Sequence, residues 1–248
     1  MKRMLVVSVI AAALVASCGG SSSDDAATVT TRPVATDAPA STDAPASTEA
    51  PPVTDAQAPT TEPASGMTAA KSLEEVRGAV VRIVGTGTFA DPLSGVQANV
   101  PGSGSGFVID SSGLAITNNH VVTGAALLDV YVANEERPRN ARVVAVSECS
   151  DLAVIDIDGA DLPYLEWYDA EITAGMSIFA AGFPLGDSEY TVLDGIVSKE
   201  DAGGETSWSS VDSVIEHSAD TLPGNSGGPI ITSEGKIVAV NFAGNDLG

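Results

Sequence analysis

What most restricts the fold of this chain is the spacing of its apolar residues, which almost nowhere follows a helical period. Short runs rich in Val and Ile recur instead, each closed off by Gly, Pro, Asn or Asp, and this is the pattern of β-strands. Six such runs fall at 80–84, 105–110, 114–117, 127–132, 141–147 and 152–157. After a loop around Leu162, Pro163 and Tyr164, five more fall at 176–182, 190–199, 211–217, 229–232 and 236–242. One short helical turn opens at Ser72, with Glu75 three residues on to complete a capping box. Two groups of short strands with turn signals between them predict an all-β protein of two packed, six-stranded antiparallel β-barrels. Their bounds are about 79–160 and about 170–248. The second barrel is expected to be truncated: it lacks a strand, and the sequence stops after Asn245, Asp246, Leu247 and Gly248. An open barrel would carry an unpaired edge.

Upstream, Met1-Lys2-Arg3 precedes an apolar run that ends in Val15-Ala16-Ser17-Cys18. A charged start, a short apolar stretch and small residues before a cysteine read as a lipoprotein signal over residues 1–17, with Cys18 as the lipidated residue. The run is too short for a permanent membrane span. Residues 18–70 are dominated by Ser, Thr, Ala, Pro, Asp and Glu. Such a segment buries too little apolar surface to offset its conformational entropy, so it is expected to be a disordered tether. The remaining 71–248 is then a folded domain held outside the cytoplasm at the cell membrane or envelope.

Charge narrows the partners. The chain has 11 Lys and Arg against 33 Asp and Glu, a formal net charge of −22. Few of these lie in the tether, so the acidic excess belongs to the folded part. With no basic patch to release counterions from phosphates, a nucleic-acid partner is not expected. With Cys18 lipidated, Cys149 is expected to be a small buried apolar residue without a disulfide partner. Asp156, Asp158 and Asp161 have incomplete spacing for a calcium loop, and no metal or cofactor is expected.

Three segments carry chemistry. Acyl transfer needs a nucleophile, a base, a group that fixes the base, and N–H donors for the developing oxyanion. Ser226 lies in Pro223-Gly224-Asn225-Ser226-Gly227-Gly228-Pro229, where glycines allow a tight turn that exposes the hydroxyl. The N–H groups of Gly224 and Ser226 are candidates for the oxyanion hole. His120 ends a strand and polar turn, Ile116-Thr117-Asn118-Asn119-His120, and an imidazole suits a general base near neutral pH. Asp151 opens the apolar run Asp151-Leu152-Ala153-Val154-Ile155, where a carboxylate needs a partner if buried. The order His, Asp, Ser is one of those known for such triads.

From about residue 79 to 242 the chain resembles the trypsin-like serine peptidases, and their HtrA/DegP branch in particular. The resemblance rests on Gly104-Ser105-Gly106-Phe107-Val108-Ile109, the His120 and Asp151 segments, Gly182-Phe183-Pro184-Leu185-Gly186, Gly195-Ile196-Val197-Ser198 and the Ser226 loop. It implies a serine endopeptidase working through an acyl-enzyme in the cleft between the barrels. Protein or peptide substrates, exported or misfolded, would be hydrolysed at the cell envelope, without a cofactor. HtrA proteins usually add a PDZ domain and form trimers; neither can be read from this sequence, and the oligomeric state stays open. Asp220, six residues before Ser226, occupies the offset at which trypsin-like enzymes place an acid in the primary specificity pocket, which would favour Lys or Arg. A latent or inactive module of the same fold that binds peptides or acts as a chaperone remains an alternative, as does a structural surface lipoprotein.

Overall fold

In the computed structural model, which describes residues 4–7, 68–91, 95–133, 135–206 and 208–244, the apolar runs pair into two closed antiparallel barrels. Barrel one contains β2 (Val80–Asp91), β3 (Gly95–Val108), β4 (Leu114–Asn118), β5 (Ala125–Val132), β6 (Arg139–Ser147) and β7 (Leu152–Ile157). They close in the order β2-β3-β4-β7-β6-β5. β2 and β3 form one long hairpin that runs in register from Val80 opposite Phe107 to Asp91 opposite Gly95, with a bulge after Gly87. The sequence pattern stops β2 at residue 84 and starts β3 at residue 105. The extension lies in a stretch rich in Gly, Ser, Thr and Pro, where cross-strand pairing overrides weak intrinsic preference.

Barrel two contains β8 (Ser177–Gly182), β9 (Thr191–Ala202), β10 (Val214–His217), β11 (Pro229–Ile231) and β12 (Ile237–Gly244). Its sixth strand is β1, Met4–Val7, which pairs with β10 on one side and β12 on the other. The expectation of a truncated, five-stranded second barrel is therefore corrected. The closing strand comes from the apolar run assigned to the export signal, because a short apolar run has the composition of a buried strand whatever its other use. β10 also starts later than its sequence run, at Val214, since the residues before it belong to a loop.

Three buried clusters explain the packing. One fills barrel one with Val81, Ile83, Val108, Val130, Ile155 and Ile157. One fills barrel two with Ile178, Val197, Ile215, Ile230 and Val238. The third draws on both barrels, joining Val80, Phe107 and Leu152 to Phe183, Ile231, Ile237 and Val240. At roughly 1.5–3 kcal/mol for each large side chain fully withdrawn from water, this shared cluster holds the barrels against each other and fixes the cleft between them.

Before barrel one, α1 (Leu73–Val76) is capped by Ser72, whose Oγ accepts from the Glu75 N–H at 3.3 Å. The Glu75 carboxylate reaches the Lys71 N–H at 2.8 Å, one residue earlier than a capping box requires. Just ahead of this turn, Ala69 bridges to Tyr164. Cys18 and the expected tether up to residue 67 lie outside the described residues. Cys149 is half-buried and disulfide-bonded, which corrects the expectation of an unpaired, buried thiol; a disulfide is what an oxidising compartment permits.

Candidate active site

β4 ends at Asn118 and runs directly into α2 (Asn119–Val122), a single turn that carries His120. The neighbouring strand β7 starts one residue after Asp151, so pairing of Asn118 with Leu152 across the two strands sets Asp151 beside His120. The Asp151 carboxylate accepts twice from the same residue: Oδ2 from His120 Nδ1 at 2.6 Å, and Oδ1 from the His120 backbone N–H at 2.8 Å. Its carbonyl accepts from Asn118 Nδ2 at 2.8 Å and from the Asn119 N–H at 3.0 Å. Asp151 sits at φ +50°, a left-handed conformation that Asp adopts more readily than most residues. The carboxylate is 1% exposed and the imidazole 16%. The acid is thus shut away from water and satisfied by hydrogen bonds, as a buried charge must be, while the base stays reachable. With Nδ1 donating to Asp151, Nε2 is left with its lone pair for a proton.

Ser226 is contributed by the turn between β10 and β11. Its carbonyl accepts from the Ser105 N–H on β3 at 2.8 Å. A Cβ added to Gly104 would meet Val121 Cγ2 at 2.6 Å and Ser226 O at 3.2 Å. The residue after His120 and the backbone of Ser226 therefore converge on the same glycine. Among the described residues Ser226 and His120 are not hydrogen-bonded to each other; such contacts are often long in a resting site and tighten on substrate.

The turn before Ser226 is shaped by its carbonyls. Pro223 O accepts from the Leu185 N–H at 2.6 Å, and Gly224 O accepts from Ser105 Oγ at 2.8 Å. Among the described residues the N–H groups of Gly224 and Ser226 donate to no backbone carbonyl. Gly224 has φ +97°, and a Cβ there would meet Phe183 O and Leu185 N, each at 2.6 Å. Gly227 has φ +83° and lies against Ser105 O and Thr117 Oγ1. Neither position has space for a side chain.

Ser105 is the residue that sequence reasoning missed. It is fully buried, donates from Oγ to Gly224 O, accepts there from the Phe183 N–H at 2.9 Å, and has its carbonyl bonded by Thr117 Oγ1 at 2.7 Å. One hydroxyl thus links β3, the Phe183 segment and the nucleophile turn. Its place in Gly104-Ser105-Gly106 was the available signal, but a serine between glycines on a strand carries no role by spacing alone. Trp208 was also missed: its ring stacks on the His120 imidazole, centroids 5.0 Å apart and planes 26° from parallel.

Two other residues lie apart, the candidate Asp220 and the second histidine, His217. Asp220 is exposed, between buried Ala219 and Thr221, and this position lends no support to a role at the floor of a pocket. His217 is fully buried; its Nδ1 accepts from the Ala219 N–H at 3.2 Å, and Nε2 faces Asn241 Oδ1 at 3.3 Å. Burial lowers its pKa to about 4, against opposing effects of Asn241 and Glu216.

The pattern of the Trypsin-like peptidase domain matches residues 104–240, more than half of the chain. The chain belongs to the trypsin-like peptidase family. Within that family its relatives are of the HtrA/DegP type. It is 35% identical over 156 residues to a probable periplasmic serine endoprotease, DegP-like, of Marinomonas sp. (strain MWYL1), covering 62% of this chain and 32% of that protein. It is 32% identical over 203 residues to the serine protease Do-like HtrA of Lactobacillus helveticus, covering 71% and 49%. The chain thus spans a third to a half of the length of these relatives. Among solved structures, the HtrA-type protease AlgW with a decapeptide superposes with a TM-score of 0.59 at 26% identity, over 69% of this chain and 57% of that one. The active form of the Rv3671c protease from M. tuberculosis gives 0.56 at 26%, over 68% and 72%. The two-barrel trypsin-like fold is shared with both.

Proposed function

We propose that this trypsin-like chain is a serine endopeptidase in which Ser226 attacks, His120 moves the proton and Asp151 holds the imidazole. The observation that carries this reading is the double contact of the buried Asp151 carboxylate with His120, at Nδ1 and at the backbone N–H. As the Ser226 oxygen bonds to the substrate carbonyl carbon, its proton passes to His120 Nε2, and the imidazolium that forms faces the ionised Asp151. The carbonyl oxygen, now an anion, is taken by the N–H groups of Gly224 and Ser226, which stabilise charge that develops only in the transition state. Collapse breaks the C–N bond, the imidazolium gives its proton to the leaving amine, and water repeats the sequence to release the acid and restore Ser226.

The substrates are exported or misfolded proteins at the cell envelope. The periplasmic naming of relatives such as the Marinomonas protein supports this site of action, reached through the export signal read over 1–17. Incubation of the full chain with a fluorophosphonate probe and unfolded casein, beside Ser226→Ala, tests the chemistry. Labelling and cleavage that both depend on Ser226 are expected. A folded protein that shows neither would be the latent peptide-binding module instead.

A further inference from the structure

A cavity of about 220 Å³ opens beside the catalytic imidazole, on the barrel-one side of the site. Its walls include Phe89, Val100 and Pro101 from the β2–β3 hairpin, His120 and Val121 from α2, and Trp208 from the loop before β10. None of its lining residues is Asp, Glu, Lys or Arg, although acids outnumber bases threefold in the whole chain. At about 30 Å³ for each water in the liquid, it has room for some seven waters, or for one large side chain. The Trp208 loop is built rather than slack. Thr206 Oγ1 accepts from the N–H groups of Trp208 and Ser209 at 3.1 and 3.0 Å, Ser209 Oγ donates to Gly204 O at 2.8 Å, and the Ser210 N–H donates to Cys149 O at 2.9 Å, close in sequence to Asp151. A barrel-two loop is thereby moored to the barrel-one turn that carries the acid, with its indole laid on the base.

Resting on the peptidase reading above, we propose that this cavity is a specificity pocket for an aromatic or large aliphatic side chain on the leaving-group side of the scissile bond. The leaving amine must take its proton from His120 Nε2, so the residue that departs with it passes the imidazole. Apart from Trp208, the pocket that shares this imidazole is walled by barrel one, whereas the Gly224 and Ser226 donors that grip the acyl carbonyl lie on the barrel-two turn. Aromatic rings at two walls favour an aromatic guest in stacked or edge-on contact.

The test uses the full chain and peptides built around one cleavage site mapped in casein, varied only at the first residue after the cut among Phe, Leu, Gly, Asp and Lys. Wild type is expected to cut the Phe and Leu peptides faster than the Gly peptide by on the order of tenfold in kcat/KM, the discrimination typical of one apolar pocket. Trp208→Ala should shrink that ratio toward one. Val100→Asp, at a half-buried hairpin position, should move the preference to Lys. A wild-type ratio near one overturns the pocket, as does a Trp208→Ala enzyme that slows all five peptides equally, since Trp208 would then only steady the imidazole. A wild type that neither cuts casein nor takes the fluorophosphonate overturns the peptidase reading and the pocket together; one that does both while ignoring the varied residue overturns the pocket alone.

Discussion

The two halves of the candidate site are held in place by different means. On barrel one, His120 and Asp151 are fixed through a side chain: one buried carboxylate makes two contacts with one residue, and Asn118 ties down its carbonyl. On barrel two, Ser226 is fixed through the main chain, with the carbonyls of Pro223 and Gly224 drawn off by Leu185 and Ser105. A hydrogen bond to a charged group is worth roughly twice a neutral one, so each contact that fixes His120 is stronger than each one that fixes the Ser226 turn. The carbonyls of Pro223 and Gly224 each rest on one neutral hydrogen bond, and Ser226 O, Gly227 N–H and Gly228 N–H add further bonds to Ser105, Asn241 and Asn225.

This contrast can be broken or sharpened by experiment. Ser226→Ala or His120→Ala should cost roughly 10⁶-fold in kcat, read from casein cleavage; equal loss from either half would show that both halves act as one unit. Asp151→Asn should cost about 10⁴-fold in kcat with the fold intact by circular dichroism, because the imidazole loses its orienting charge. A loss of only tenfold would mean that the double contact is structural.

His217 lies on the barrel-two side and answers to pH. Its folded pKa of about 4 is below the unfolded value near 6.5, so the neutral buried form stabilises the fold above pH 6.5. That stability is lost as pH falls through the window from 6.5 to 4, and amounts to about 3 kcal/mol. Urea unfolding at pH 7 and pH 4 should show it, and His217→Asn should flatten that part of the profile. Ser105→Ala, which strands Gly224 O and the Phe183 N–H, should remove about 2 kcal/mol. In a chain of this size that is roughly 4–8 °C in Tm. It should also lower kcat while leaving KM unchanged, since the oxyanion donors serve the transition state; a Tm loss without a kcat loss would separate Ser105 from the nucleophile turn.

The same contrast decides what the sequence could reveal. The Asp151 and His120 segments stand next to paired apolar runs, so strand spacing alone brings them together, and the residue types announce the chemistry. The glycines of the Ser226 turn are legible because side chains there would collide with neighbouring backbone. Ser105 and Trp208 were not legible, because a neutral hydroxyl and a loop indole gain meaning only from what lies across the fold. The β2–β3 hairpin was read short because its outer half is poor in strand formers and owes its pairing to its partner strand. β1 was read as an export signal because apolar character is common to both uses.

That last strand ties maturation to architecture. Cleavage after residue 17 would take Met4–Val7 with it and leave β10 and β12 facing each other across the width of one strand, each with a row of unanswered N–H and C=O groups. His217 and Asn241, joined inside the barrel, belong to those same two strands. Processing of the precursor would therefore act on the catalytic domain as a change of tenant: whichever extended segment next lies between β10 and β12 inherits the job of keeping the wall beneath the Ser226 turn upright.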